Sequence, residues 1–261
     1  MSDWVKNCLL AAALVLCICL TPAYSEELDW ELGTEISHIT YKEPGFMKQK
    51  GMMYGLTGAY AFHEEPFMLK SEGRISWGQV DYSGSGTMEN VDDVIFELRG
   101  LGGYDLRAFH SLVITPYTGL GYRYLYDDSS GRTTSTGAWG YERESNYFYS
   151  PIGIETFADL GNNWSLAATI EYDLFWRGLQ RSHFGAAILE NDQDEGYGVR
   201  GSVKFRKNGK DLDLVIEPFI RYWDIEDSDI APVTWSGYVV GYGYEPANHS
   251  TEFGCKIALN F

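Results

Sequence analysis

The sequence predicts an all-β fold: a ten-stranded antiparallel barrel, wound up and down, that crosses a membrane. Three observations predict it. Apolar and polar residues alternate with period two in segment after segment, which puts successive side chains on opposite faces of a strand. Beyond residue 25 no stretch keeps the i, i+3, i+4 apolar spacing of a helix over ten residues. The connections between the alternating segments are, in turn, short and long, so with an even strand number the short turns gather at one end.

The first element is not a strand. An apolar run from Cys8 to Leu20 follows Lys6 and ends in Thr21-Pro-Ala-Tyr-Ser25. It is shorter than the ~20 residues of a membrane-crossing helix. Its positive start and the small residues Ala23 and Ser25 fit a secretory signal peptide cleaved after Ser25. The expected organisation is a signal peptide over 1–25 and one barrel domain over 26–261. Cys8, Cys17 and Cys19 leave with the signal, and Cys255 alone cannot form an intramolecular disulfide.

Strands are expected over 28–42, 51–63, 68–81, 94–106, 111–125, 146–159, 164–177, 196–206, 212–223 and 252–261. The seventh in particular alternates Trp164, Leu166, Ala168, Ile170, Tyr172, Leu174 and Trp176 with a second face that ends in Arg177. Short connections fall at 63–67, 107–110, 160–163 and 207–211, the last carrying the tight-hairpin pair Asn208-Gly209. Long connections fall at 43–50, 82–93, 126–145, 178–195 and 224–249.

Alternation does not say which face is inside. Here one face carries charges of both signs in most strands, among them Glu31, Glu35, Arg74, Glu97, Arg99, Arg123, Glu171, Asp173, Arg200 and Glu252. The apolar face begins or ends in aromatics such as Trp30, Tyr54, Trp77, Tyr104, Tyr122, Tyr124, Trp164 and Trp176, as interfacial girdles require. The last alternating strand runs to Phe261. A closed sheet satisfies its own backbone polar groups, so it can turn that apolar face to lipid.

The formal charge of −17 excludes an electrostatic nucleic-acid binder, because phosphate would be repelled. Most of that charge lies in the long connections.

These residues resemble bacterial outer-membrane β-barrel proteins of the small, monomeric, porin-like kind. The resemblance rests on the signal segment, the ten amphipathic strands, Pro116-Tyr-Thr-Gly-Leu-Gly-Tyr-Arg123, and the ending Ile257-x-Leu259-x-Phe261. That ending is similar to the signal read by the outer-membrane barrel assembly machinery. The resemblance implies long extracellular loops, short periplasmic turns and a bacterial outer-membrane location. It also implies contact with outer-membrane lipids and lipopolysaccharide; because lipopolysaccharide phosphates and the long connections are both anionic, divalent cations could bridge them.

Ten strands enclose a narrow lumen. Tyr117, Tyr149, Phe175, Phe219 and Trp223 join the charges on the inner face, so paired Arg and Glu side chains are expected to fill it. The function expected is therefore structural or porin-like and non-enzymatic. The alternative is a hydrolase at the extracellular rim.

The strand number resembles omptin proteases, which use paired aspartates facing an Asp-x-His pair. Asp81, Asp92 and Asp93 offer the first pair, but Arg181-Ser-His183 stands where Asp-x-His is needed, with Asp192 and Asp194 further on. Lipid A deacylases carry a His-x-Ser-Asn motif. Asn248-His-Ser-Thr251 sets Ser beside His instead. His183 and His249, with Asp192, Asp194 and Asp229, show no metal-ligand spacing. His38 falls in the first strand, and His63 and His110 in short turns. No catalytic, cofactor or metal residue is assigned. Cys255 is expected to face lipid, and Trp139, Tyr141, Trp235, Tyr238, Tyr242 and Tyr244 suggest a loop surface that packs or binds glycans.

Overall fold

The computed structural model describes residues 27–64, 66–109 and 112–261. The expected signal segment and His110 lie outside the described residues. The strands are β1 (Glu27–Glu43), β2 (Met47–Glu64), β3 (Phe67–Gly84), β4 (Gly86–Tyr104), β5 (Leu106–Phe109), β6 (Leu112–Asp128) and β7 (Glu142–Gly161). They continue with β8 (Trp164–Phe184), β9 (Ala187–Gln193), β10 (Gly196–Lys207), β11 (Asp213–Ile225), β12 (Ala231–Trp235), β13 (Tyr238–Gly243) and β14 (Asn248–Asn260).

Ten of them close a barrel in the order β1-β2-β3-β4-β6-β7-β8-β10-β11-β14, and β14 pairs back onto β1 from Glu31↔Asn260 to Lys42↔His249. Every pairing is antiparallel. Closure leaves no barrel edge, so the backbone is satisfied within hydrocarbon. No helix among the described residues is long and apolar enough to cross a membrane; the crossing is made by strands.

The period-two reading holds through the middle of each strand. Leu32, Ile36, Leu56, Leu120 and Ile170 point outward, Ile170 with 67% of its surface free, while Glu31, Glu35, Arg123 and Glu171 are buried inside. Between the aromatic rows the outward positions of the ten strands hold no Asp, Glu, Lys or Arg. Trp164 and Trp176 bound the apolar band on β8. The twelve steps between them at about 3.3 Å each, tilted by about 40°, span about 30 Å of membrane. Elsewhere the rows are knitted by ring contacts, Trp30 on Tyr60 at 4.6 Å and Phe67 on Tyr104 at 5.6 Å. Tyr124 departs from its expected place in the girdle. It alternates with inward Arg123, yet only 2% of it is exposed.

Three boundaries differ from the sequence reading. First, the strands run on past the membrane at the end with the long connections, called the upper end here. The expected long loop at 43–50 shrinks to 44–46, and that at 82–93 to Ser85 alone, with Gly84 paired to Gly86. Above the lipid the outer face of a strand meets water in place of hydrocarbon, so apolar alternation fades while the hydrogen-bond ladder continues. Second, Arg177 is not on the inner face. Phe148 pairs with Arg177 and Tyr149 with Phe175, so Trp176 is an extra residue that shifts the phase of β8. Arg177 consequently emerges outside and binds Asp192 at 2.6 Å. Third, Asn208-Gly209 does not form a two-residue turn. The connection spans 208–212 and is closed by the Gly209 N–H donating to Asp213 Oδ1 at 3.0 Å. The tight lower turn belongs instead to Asn162 and Asn163, both left-handed at φ 54° and 62°.

Above the membrane β8 forks. Its lower part pairs with β10, and its upper part with β9, which carries β12 and then β13 outward as a small projecting sheet. The 129–141 connection folds over the β3–β4 tip. Ser135 N–H donates to Thr87 O at 2.9 Å, and Arg132 donates to the carbonyl oxygens of Asn90 and Glu89 at 2.7 and 2.5 Å. At the lower end β5 pairs with β6, and Asp105 accepts from Thr115 at 2.6 Å and lies 2.9 Å from His63 Nδ1.

Candidate functional site: the lumen and the upper rim

The centre of the barrel is a network of ion pairs. Arg74 reaches Glu35 and Glu97 at 2.9 Å and Glu252 at 3.1 Å. Arg200 reaches Glu97 at 2.5 Å, Asp173 at 2.6 Å and Glu171 at 3.1 Å. Arg99 grips Glu171 with both terminal nitrogens, at 2.7 and 2.9 Å. Tyr117 and Tyr149 donate to Glu171 and Glu97 at 2.6 and 2.7 Å, and Arg221 adds Glu35 at 3.1 Å. These side chains come from most of the barrel strands, because an inward position recurs every second residue and neighbouring strands are in register. Planar guanidinium groups suit the task, since each can serve two or three carboxylates at once. Isolated charges at this depth would not be tolerated.

Room for the rings is made by small residues across the lumen wall. A side chain at Gly121 would stand 2.2 Å from the Tyr149 ring, and one at Gly153 would stand 2.4 Å from that of Tyr117. The glycines of Pro116-Tyr-Thr-Gly-Leu-Gly-Tyr-Arg123 thus make space for lumen packing.

Below the network, Lys204 and Lys256 share Glu31 and Glu217, and Lys70 pairs with Glu72 and Glu155. A cavity of about 120 Å³ lies among these groups. Above the network the lumen turns apolar. Ile39, Met53, Val80, Met88, Val91 and Ile95 cluster on one wall, and Tyr147, Tyr149, Phe175, Trp223 and Ile225 on the other. Leu125 touches both clusters, so they meet across the bore. The Arg123 guanidinium sits 5.1 Å over the Trp223 ring.

A polar layer closes the mouth. Arg143 donates to Glu43 Oε1 at 2.5 Å and to Gln49 Oε1 at 3.1 Å; Gln49 donates to Asp127, and Ser145 to Gln180. The 226–247 segment brings Glu245 into this layer, held by Ser228 N–H to Glu245 O at 3.0 Å and Glu245 N–H to Ser228 Oγ at 2.8 Å. Glu245 is 5% exposed. Burial pushes its carboxyl up to about 8, opposed by Arg143 and reinforced by Glu43. Of these mouth residues the sequence reading found none. Their strands are polar on both faces at this height, and only the continuing alternation of Arg143, Ser145 and Tyr147 marked the inner side.

The rim residues singled out in the sequence do not converge. Asp92 accepts from Gln79, Asp81 accepts from the Asn90 N–H, and Asp93 turns inward beside Asp127 and Arg143. Asp192 is taken by Arg177. His183 faces Glu142 and Glu144, not Asp192, Asp194 or Asp229. His183 and His249 sit in β8 and β14 instead of loops. In β14 consecutive residues point to opposite faces, so the His249 ring lies 6.4 Å from that of Tyr222 outside while Ser250 is buried inside. His38 also points outward, stacked on Phe253 at 5.4 Å. Cys255 is a free, part-exposed thiol on the outer face. Trp139, Trp235, Tyr238 and Tyr242 are exposed, the last three on the β12–β13 hairpin.

A closed sheet with an apolar belt and a charged, packed interior defines a membrane-spanning β-barrel. The chain belongs to the outer membrane protein beta-barrel domain family, whose model matches residues 9–177, and that family places it in the bacterial outer membrane. Among solved structures the outer-membrane protease OmpT from Escherichia coli superposes with a TM-score of 0.63 at 8% identity, covering 92% of this chain and 98% of that one. The translocator domain of the autotransporter NalP from Neisseria meningitidis gives a TM-score of 0.48 at 12% identity, over 96% and 95% of the two chains. The toluene transporter TbuX from Ralstonia pickettii gives 0.41 at 9% identity, over 91% and 89%. At such identities the likeness is one of fold. No curated protein matches the sequence.

Proposed function

We propose that the protein is a structural outer-membrane barrel that does not conduct, and that it presents its projecting sheet and acidic upper surface at the cell exterior. The observation that carries this reading is the packing of the bore. Arg74 and Arg200 tie β3 and β10 to carboxylates on β1, β4, β8 and β14, and an apolar layer and a polar mouth stand above them. An ion crossing it would have to break several charge-assisted bonds in a low-dielectric interior. In this reading residues 1–25 direct export, lipopolysaccharide meets the acidic rim through divalent cations, and the exposed aromatics of 231–243 are open to glycans.

Liposome swelling tests the closed bore. Vesicles containing the purified barrel should swell in small sugars no faster than empty vesicles. Rapid swelling would make the protein a porin. A glycan array probed with the barrel and with a 228–247 deletion tests the presenting surface: binding lost in the deletion supports it, and no binding by either form removes the glycan role.

A further inference from the structure

The outer face of the sheet above the membrane holds a group of residues that the bore and the projecting sheet leave unused. Glu142 and Glu144 lie two apart on β7, so both point outward, opposite to Arg143 and Ser145. His183 on β8 stands directly across from Glu142 in register, on that same face. One ligand atom from each of the three lies within 4.8 Å of the other two. His183 is seven residues beyond Trp176, about 20 Å along the strand and clear of the hydrocarbon.

Two features set this group apart from an ordinary solvated surface. His183 Nε2 is shielded from solvent yet has no hydrogen-bond partner, and it faces Glu144 Oε1 at 3.8 Å, too long for a hydrogen bond. The cations beside the two carboxylates are engaged elsewhere: Arg181, across from Glu144, binds Glu190 at 2.9 Å, and Arg143 turns inward to Glu43. Asp128 pairs with Glu142 from the next strand and extends the row. The Tyr126 hydroxyl donates to Asp128 Oδ2 at 3.4 Å.

We propose that Glu142, Glu144 and His183 form a surface site for a divalent transition metal of the zinc type. An imidazole nitrogen with two carboxylates is a zinc donor set, whereas calcium and magnesium take oxygen alone. Ligand atoms around a tetrahedral zinc stand about 3.4 Å apart at bond lengths of ~2.1 Å. The three groups therefore need to close by little more than an ångström, which two flexible glutamates on a rigid ladder can do. The site does not depend on whether the bore conducts.

Titration of the purified, folded full-length barrel with Zn²⁺ by calorimetry, and with Co²⁺ by its visible absorption, tests the proposal. One equivalent should bind, with Ca²⁺ at least tenfold weaker. His183→Ala and, separately, Glu144→Gln should each weaken Zn²⁺ binding by about 10- to 100-fold. Asp192→Asn, on the same face but outside the group, should leave it unchanged. Heat-modifiable gel mobility shows that each variant is folded; the glutamine variant, nearly isosteric, carries the test if the alanine variant does not fold. No binding at millimolar Zn²⁺, equal binding by wild type and both variants, or Ca²⁺ binding as tight as Zn²⁺ overturns the site.

Discussion

Arg74 holds three buried carboxylates, Glu35, Glu97 and Glu252, from three other strands. Replacing it with alanine would leave those charges facing one another in the bore, a loss of about 3–5 kcal/mol for a broken buried pair. Urea unfolding of Arg74→Ala in bilayers should show a destabilisation of that size, and an unchanged midpoint would mean that the network contributes nothing. On the opposite face Ile170 meets lipid midway between Trp164 and Trp176 on β8. Ile170→Arg should cost about 2–4 kcal/mol in the same measurement, because the charge enters hydrocarbon near the midplane. A neutral effect would contradict the lipid-facing assignment. Both faces were legible residue by residue wherever lipid stood against lumen, since that contrast writes the alternation. Arg177 was misassigned because a bulge at Trp176 shifts the phase, and a bulge leaves no mark in hydrophobic pattern.

Among the elements, the ten barrel strands could be read from the sequence, but their upper ends could not. Residues 86–93 and 142–145 pair as strand while presenting polar side chains outward, with Met88 and Val91 the apolar residues among them, so little in their pattern separates them from loop. The partners of His183 were hidden for the same reason: strand pairing, not spacing, brings Glu142 and Glu144 to it. The 226–247 segment shows what such hidden contacts do. Its Glu245 carboxyl, raised to about 8 by burial, keeps its proton when the segment is seated, but loses it near 4.5 when released to water. At pH below 4.5 both states are protonated and the seating is at its strongest. As pH rises through this window only the released state ionises, so seating weakens until about pH 8. Hydrogen-exchange protection of the Glu245 and Ser228 amides, corrected for intrinsic rate, should therefore fall between about pH 5 and about pH 9. Glu245→Gln should remove that slope, and the same slope in the variant would assign it to another group.

At the scale of the whole molecule, a small lumen is a consequence of strand number, and its filling a consequence of which side chains point in. Ten strands leave little room beyond two layers of side chains. The inner face supplies long arginines, glutamates and aromatic rings instead of the small polar residues of an open channel. That the bore would be charged and crowded was visible in Glu31, Arg74, Glu97, Arg99 and Tyr149. That it would be capped by an apolar layer was not, because Ile39, Met53, Val80 and Val91 come from positions where the two faces had already lost their contrast. The most direct test of a closed bore is single-channel recording of the purified barrel in planar bilayers at molar salt. The packing described here predicts a silent membrane after insertion has been verified by heat-modifiable mobility. Stable, discrete conductance steps from the wild-type barrel would contradict it.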